Sequence, residues 1–358
     1  MDNILWADSI PGRSVSNQAG DSCLWFSGTD YLGLAHHPVF LQFIQEGLLQ
    51  MGTHYGSSRN NTLRLKVFED SEQLLAEHLG APDALTVSSG IWAGQLLMKM
   101  LPEILPQPYK IYYAPSVHPA IVGEGYERTE MPWKQWALKL AGQISAADPR
   151  QTHVIITDAT GAPWVEQFDF SVLDQIPSGQ QIILIIDDSH GFGILGDEGR
   201  GTRLNIKPRH RLDIISVGSL NKGMGIPGGV IAGDSHYLQK IRNSGWYSGA
   251  SPFSAAYAFA LCKMIKTGVY LKQYDMLMQN IDYLNKEGMY NAAAWTSFEG
   301  YPVFCSRQQE LQKLLLDHNI LTSCFAYPTI NDNPVVRLVV NAAHTREDLR
   351  KLTDVLIK

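Results

Sequence analysis

Six short apolar segments, separated by stretches of helical or loop character, constrain the fold of this chain more than any other feature. Several of them are continuous apolar, β-branched runs rather than alternations of apolar and polar residues, which is typical of strands buried on both faces. Strands of this kind that alternate with helices predict an α/β fold around a mostly parallel sheet. The segments are 84–88, 110–113, 153–157, 181–186, 213–217 and 229–232.

The pattern on either side of these segments differs from the centre. Residues 38–51 and 66–79 repeat apolar residues at helical spacing and predict two helices. After about residue 255 a long apolar helix leads into short strands and helices, which indicates a small α+β domain. We therefore expect a large α/β domain over 38–255 and a smaller domain formed by 1–37 with 256–358. The expected C-terminal elements are strands near 301–305, 321–327 and 335–340, a helix at 308–318 and a final helix.

Composition excludes several classes of protein. The 358 residues carry a net charge of -6 with no basic run, so a nucleic-acid partner is not expected. No apolar run approaches the roughly 18–20 residues of a membrane span, and the first residues lack the pattern of a secretory signal. Four scattered cysteines without C-x-x-C spacing predict reduced thiols in the cytoplasm and no metal site.

A lysine followed by glycines lies just after the segment 213–217. In SVGSLNKGMGIPGG, Lys222 is followed by glycines at positions 223, 225, 228 and 229. A lysine amine forms a Schiff base with an aldehyde cofactor when it is held in place and can lose its proton. Glycines let the backbone pass close to a bulky ligand. A surface lysine in a flexible turn is the alternative interpretation.

Two aspartates end the most apolar of the segments. Asp187 and Asp188 follow 181–186, at the strand end where ligands bind in open α/β sheets. A buried carboxylate needs a partner, and the protonated pyridine nitrogen of pyridoxal 5′-phosphate (PLP) is one; a helix cap or a metal ligand is the alternative. The glycines of GFGILG match G-x-G-x-x-G, but DDSH separates them from the strand and DEGRGT follows, so a nicotinamide cofactor is not indicated.

Small residues after the segment 84–88 predict an anion site. Ser88, Ser89 and Gly90 precede a helical pattern, and the free N–H groups of a helix start bind anions such as phosphate. Many strand–helix turns have this composition, so the signal is weak alone. Together, three strand ends supply a phosphate cradle, a carboxylate and a glycine-flanked lysine, in that order along the chain.

In this order the motifs resemble the α-oxoamine synthases, a family of fold-type I PLP enzymes. The resemblance covers nearly the whole chain after about residue 24. It implies a fold-type I PLP-dependent transferase, with a large mostly parallel-sheet domain and a smaller C-terminal α+β domain. The matching segments are DYLGLAHHP, GTHYGSSR, VSSGIWAG, DDSHGFGILGDEGRG, SLNKGMGIPGG and VVRLVVNAAHT.

The resemblance implies a role for each residue that matches a family motif. Lys222 would hold PLP as a Schiff base and later move protons at the substrate α-carbon, and Asp187 would pair with the pyridinium nitrogen. His190 would hydrogen-bond the phenolic oxygen of the cofactor, and His118 would stack on its ring. The remaining implied roles are phosphate binding by Ser89, Gly90, Ile91 and Ser219, and binding of the amino-acid carboxylate by Arg337 and Thr29.

Four positions depart from the family pattern. Thr29 replaces the asparagine before DYLGL, Ala162 lies near the place of a serine, and the histidine that follows the GSSR segment is Phe68. The segment that reaches the neighbouring subunit's site in the family reads SGASPF here, so its phosphate contact shifts to Ser248 or Ser251. A homodimer with shared active sites is expected from this resemblance.

The resemblance implies an acyl-CoA:amino-acid C-acyltransferase that joins the two substrates with loss of carbon dioxide. The family reaction that fits best joins L-alanine to pimeloyl-CoA in biotin synthesis. The alternatives are an aminotransferase, or a synthase that uses glycine or serine with another acyl-CoA. A cofactor-free partner subunit is not favoured, because such a subunit need not keep Lys222.

Overall fold

The computed structural model describes residues 6–16, 22–327, 329 and 331–356. The chain divides into two compact units. The larger comprises 42–160 and 168–267, and the smaller comprises 1–41, 161–167 and 268–358. Three segments therefore lie in a different unit from the one predicted by the boundaries at 38 and 255, and the first of them, 38–41, belongs to the smaller unit. Residues 256–267 belong to the larger unit because their helix packs on an earlier helix there, and 161–167 belong to the smaller one.

The described strands agree with the predicted segments to within one or two residues, except for three short strands that were not predicted, the first, the second and the tenth. The strands are β1 Ser14–Ser16, β2 Ser22–Trp25, β3 Asp83–Val87, β4 Tyr109–Tyr113, β5 Thr152–Asp158, β6 Gln181–Asp187, β7 Leu212–Ser219, β8 Gly229–Gly233, β9 Val303–Ser306, β10 Ile320–Leu321, β11 Ser323–Ala326 and β12 Pro334–Val339.

The helices confirm the periodicity seen in the sequence. Both helices before the sheet have the predicted bounds, and the apolar segment after residue 253 is helical. The helices are α1 Pro38–Met51, α2 Lys66–Leu79, α3 Gly90–Ile104, α4 Trp133–Ser145, α5 Ser235–Arg242, α6 Gly245–Ser248, α7 Ala255–Lys266, α8 Val269–Lys286, α9 Glu310–Asp317 and α10 Arg346–Leu356. Among the described residues, no helix is long and apolar enough to cross a bilayer.

The larger unit is built on a six-stranded sheet in the order β3-β8-β7-β6-β5-β4. Strands β4 to β7 are parallel, and β8 runs antiparallel to both of its neighbours. The centre of β6, IILII, is fully buried, as its continuous apolar sequence predicts. Helix α3 packs against β7 and β8. This confirms the predicted mostly parallel α/β architecture.

The smaller unit contains two three-stranded sheets in its described residues, ordered β1-β2-β10 and β11-β12-β9. Strand β12 is central in the second sheet and antiparallel to both neighbours. Helix α10 begins at a capping box, in which the Thr345 N–H donates to the Asp348 carboxylate and the Asp348 N–H donates to the Thr345 hydroxyl. An α+β unit at this end of the chain agrees with the sequence prediction.

Candidate active site

The site lies at the carboxyl edge of the six-stranded sheet. Strands β5, β6 and β7 are parallel, so their last residues, Asp158, Asp187 and Ser219, meet at one edge. Asp158 and Asp187 are direct register partners. Polar side chains at the carboxyl ends of parallel strands surround the usual ligand position in such sheets.

Lys222 and His190 come together because two loops approach closely. The Lys222 Nζ lies 3.1 Å from the His190 Nε2. A Cβ built on Gly193 would lie 2.8 Å from the Gly223 Cα, and one on Gly223 would lie 2.0 Å from the Phe192 oxygen. The loops after β6 and β7 therefore need both glycines. This packing explains why the lysine motif and the DDSHGFG motif are both rich in glycine.

Asp187 is buried and held by its own loop. Its Oδ1 accepts a hydrogen bond of 3.0 Å from the Ser189 N–H, and its Oδ2 lies 3.8 Å from the His118 Nδ1. The Ser189 hydroxyl accepts the Ser219 N–H at 2.8 Å, which ties the loop after β6 to the end of β7. Among the described residues no lysine or arginine forms an ion pair with this buried carboxylate, so it suits a cationic ligand.

His118 is fixed from two sides. Its backbone N–H donates to the Asp158 Oδ2 at 3.1 Å, and its Nδ1 accepts the Ala120 N–H at 3.1 Å. Burial and the charge of Lys222 lower the pKa of His118, although Asp187 opposes them. His118 is therefore a neutral ring with an occupied Nδ1. This suits a stacking surface better than a base acting through that nitrogen.

Asp158 is a site residue that sequence reasoning missed. Burial, together with the negative charge of Asp187, raises the pKa of Asp158 well above its usual value. Two adjacent buried carboxyls disfavour double ionisation, so Asp158 takes up a proton more readily than an ordinary aspartate. The signal was present in the sequence, since Asp158 ends an apolar segment just as Asp187 does.

Asp188 supports the loop that carries His190. Its carboxyl is fully buried and accepts the Thr202 N–H at 2.7 Å and the Thr202 hydroxyl at 2.8 Å. Burial raises the pKa of Asp188 to about 7. The side chain points away from the ligand edge into this loop, so its role is structural, and the sequence alone did not separate it from Asp187.

The residues predicted to bind phosphate come together at the start of α3. A Cβ on Gly90 would lie 2.5 Å from the Ser219 Cβ, so only glycine lets the helix start approach Ser219. The Ser89 hydroxyl caps the helix by accepting the Trp92 N–H at 3.2 Å. The N–H groups of Gly90 and Ile91 precede the hydrogen-bonded part of the helix and remain free for an anion.

Ser248 and Ser251 are not part of this group in one chain. The Ser248 hydroxyl donates to the Ser244 oxygen, and its own backbone oxygen accepts the Ser58 hydroxyl at 2.7 Å. Ser251 is exposed.

Thr29 and Arg337 belong to the smaller unit, where the Thr29 oxygen accepts the Tyr31 N–H and the Arg337 Nη2 donates to the Tyr31 hydroxyl at 3.2 Å.

The departure at Phe68 has a structural explanation. The Arg59 guanidinium lies 4.2 Å from the centre of the Phe68 ring and pairs with Glu72 at 2.9 Å. The same Glu72 oxygen accepts the N–H and hydroxyl of Thr86 on β3. The arginine of GSSR therefore anchors α2 to the sheet, and an aromatic ring replaces the histidine by covering the guanidinium.

Comparisons with known proteins agree with this geometry. Residues 21–356 match the sequence model of the family described as aminotransferase class I and II. Among curated proteins, the 8-amino-7-oxononanoate synthases of Klebsiella pneumoniae subsp. pneumoniae and Nitrosomonas eutropha are 27% and 24% identical to this chain over 363 and 355 residues. These alignments cover 96% and 94% of this chain, and 91% and 89% of the relatives.

Two solved structures show the shared fold. Serine palmitoyltransferase from Sphingomonas wittichii superposes with a TM-score of 0.80 at 16% identity, covering 98% of this chain and 90% of the other. The 8-amino-7-oxononanoate synthase of Francisella tularensis gives 0.68 at 20%, covering 93% and 96%. The predicted fold class and the resemblance to the α-oxoamine synthases are confirmed.

Proposed function

Because the chain belongs to the aminotransferase class I and II family, we propose that it joins an amino acid to an acyl-CoA, releasing carbon dioxide and free CoA. The chain is an enzyme, and its cofactor is PLP, as the sequence predicted. The curated relatives compared above are named 8-amino-7-oxononanoate synthase, and this supports the acyltransferase reaction. On this basis the substrates are L-alanine and pimeloyl-CoA, and the product serves biotin synthesis.

The residues of the site fit PLP. Asp187 offers a buried carboxylate that would pair with a protonated ring nitrogen, and the pKa of its neighbour Asp158 is raised by burial and by the charge of Asp187. The start of α3 and Ser219 provide a phosphate position that a Cβ on Gly90 would close. PLP, when bound, supplies an electron sink for the charge that develops at the substrate α-carbon.

The proximity of Lys222 and His190 is the observation that carries the proposal. At 3.1 Å from Nε2 of His190, the Lys222 amine has a neighbour that can orient it. In our proposal Lys222 holds the cofactor and takes the proton from the substrate α-carbon, because an amine with a suitable pKa acts as base and acid in turn. Asp187 holds the ring nitrogen, His190 holds the phenolic oxygen, and His118 covers one ring face.

The substrate groups are assigned to the smaller unit and to a second subunit. Arg337 would bind the amino-acid carboxylate, because a planar guanidinium suits a carboxylate, and Thr29 would assist it. Ser248 and Ser251 would contact the phosphate of the neighbouring subunit in a homodimer. The four cysteines are free thiols, in keeping with the cytoplasm as the proposed compartment.

A substrate screen tests the reaction. The purified enzyme is incubated with L-alanine, glycine or L-serine and with acyl-CoA thioesters of different lengths, and free thiol is measured. We expect thiol release that requires both substrates, is fastest with L-alanine and pimeloyl-CoA, and is absent in Lys222→Ala. Transfer of the amino group to a keto acid, with no thiol from any acyl-CoA, would instead establish the alternative, an aminotransferase.

A further inference from the structure

Arg337 lies in unusual surroundings within the smaller unit. It sits on the central strand β12, paired in register with Cys305 of β9. Its Nη2 donates to the Tyr31 hydroxyl at 3.2 Å, and the Tyr31 hydroxyl in turn shares a hydrogen bond with that of Tyr301. Both phenol side chains are fully buried. The guanidinium is therefore held by a chain of two hydroxyl groups.

None of the groups around Arg337 compensates its charge. Burial raises the pKa of Tyr31 and raises that of Tyr301 still further. It also raises the pKa of the Cys305 thiol to about 11, and that thiol donates to the Pro163 oxygen at 2.7 Å. Within the described part of the chain, no carboxylate pairs with Arg337. Its Nε is buried and has no hydrogen-bond partner among the described residues.

Such a guanidinium is prepared for an anion. A buried cation costs free energy until it is paired, and neutral hydroxyl groups orient it without removing its charge. The position of Tyr301 is itself fixed, because its ring stacks on Phe298 at 4.7 Å and its backbone oxygen accepts the Tyr290 hydroxyl at 2.8 Å. Tyr301 can therefore transmit a defined orientation through Tyr31 to Arg337.

We propose that Tyr301 is a positioning residue for carboxylate recognition: through the Tyr31 hydroxyl it sets the orientation of the Arg337 guanidinium and leaves its charge free for the amino-acid carboxylate. The inference rests on the proposed function in one respect, the assignment of Arg337 to that carboxylate. It does not depend on the acyl donor, because the amino acid can be bound and measured without it.

The test compares two ligands that differ only in the carboxylate. Dissociation constants of L-alanine and L-alaninamide are measured with the PLP-loaded enzyme by titration of the cofactor's absorption. Tyr301→Phe removes one hydroxyl and should weaken L-alanine binding about 3- to 10-fold, the effect of one neutral hydrogen bond. Binding of L-alaninamide should not change, whereas a general loss of structure would weaken both ligands.

Two further variants make the result decisive. Tyr283→Phe, the matched control, removes a phenol hydroxyl from the same unit and keeps the ring that faces Arg346, and it should leave both constants unchanged. Arg337→Lys should weaken the binding of L-alanine and leave the binding of L-alaninamide unchanged. If Tyr301→Phe does not fold, Tyr31→Phe breaks the same link and is measured in its place.

The outcomes separate this inference from the proposed reaction. If Arg337→Lys weakens L-alanine binding but the tyrosine variants do not, the positioning role of Tyr301 is wrong, while the assignment of Arg337 to the carboxylate stands. If Arg337→Lys has no effect, the carboxylate assignment and the inference both fail. If no acyl-CoA releases thiol but the contrast between the two ligands holds, only the proposed reaction fails.

Discussion

Asp158 and Asp187 are register partners at the carboxyl ends of neighbouring parallel strands, so two carboxyl groups lie side by side at the ligand edge of the sheet. Asp158 also accepts the backbone N–H of His118 at 3.1 Å. In our proposal Asp187 meets the cofactor, while Asp158, whose pKa is raised by burial and by the charge of Asp187, holds the histidine that would stack on the cofactor ring. Because the two aspartates have different roles in our proposal, substitution of each should have a different effect.

Exchanging each carboxyl for an amide should distinguish the two aspartates. Asp158→Asn should bind PLP almost as well as the unmodified enzyme, because the amide oxygen can still accept the His118 N–H. Asp187→Asn loses a hydrogen bond to a charged group, which contributes about 1.5–3 kcal/mol to binding. It should therefore weaken the binding of PLP roughly 10- to 100-fold. Equilibrium dialysis of PLP measures both, and equal losses in the two variants would contradict the assignment.

Lys222 should be the residue that carries the cofactor. After borohydride reduction, peptide mapping of the PLP-loaded enzyme should find the cofactor on the peptide that contains Lys222. Lys222→Ala should lose this attachment and keep its fold by circular dichroism. Lys207→Ala, at an exposed position, is the control that keeps the attachment. Cofactor found on another lysine would refute the prediction.

Asp188 should give the larger unit a specific pH dependence. The pKa of Asp188 is about 7 in the folded state, above the usual 3.8. Between pH 3.8 and pH 7 the folded state therefore holds one proton that the unfolded chain has lost. The contribution of this proton to the free energy of unfolding is complete below pH 4. It is lost as the pH rises to 7, which lowers the free energy of unfolding by up to ~4 kcal/mol. The unfolding free energy of Asp188→Asn, compared with the unmodified protein, should lack this decline, and exposed Asp197→Asn should retain it.

His344 should give the smaller unit the opposite pH dependence, with stability lost as the pH falls. Its Nδ1 accepts the Asn341 N–H and its Nε2 lies 3.0 Å from the Trp25 oxygen, and burial lowers its pKa from 6.5 to about 4. The stabilisation is therefore complete above pH 6.5 and is lost as pH falls to 4. His344→Gln should remove this acid sensitivity in denaturant titrations, whereas exposed His318→Gln should not.

Mixed dimers should show whether the active sites are shared. Lys222→Ala and the double variant Ser248→Ala/Ser251→Ala should each have low activity. Co-expression should restore activity if the serines act in the neighbouring subunit, because one site of the mixed dimer then has both the lysine and the serines. Sedimentation should show a homodimer. A fully active monomer, or no gain on co-expression, would reject shared sites.

Local sequence determined much of this protein. Strand β6 was predictable because five consecutive apolar residues in IILII suit only a strand covered on both faces. The location of Lys222 and Asp187 at the sheet edge was predictable, because Asp187 ends β6 and Lys222 lies three residues after β7, in motifs whose glycines the loop packing requires. These features depend on neighbours along the chain, so the sequence displays them directly.

Tertiary structure decided what depends on neighbours in space. The pKa of Asp158 is raised because the fold buries it and the register places it beside Asp187, and Tyr301 reaches Arg337 only because Tyr31, 270 residues away in sequence, lies between them. Phe68 replaces a histidine because the fold brings Arg59 onto its ring. Burial and charge act through space, and neither the pKa of a carboxyl nor the partner of a guanidinium is encoded in adjacent residues.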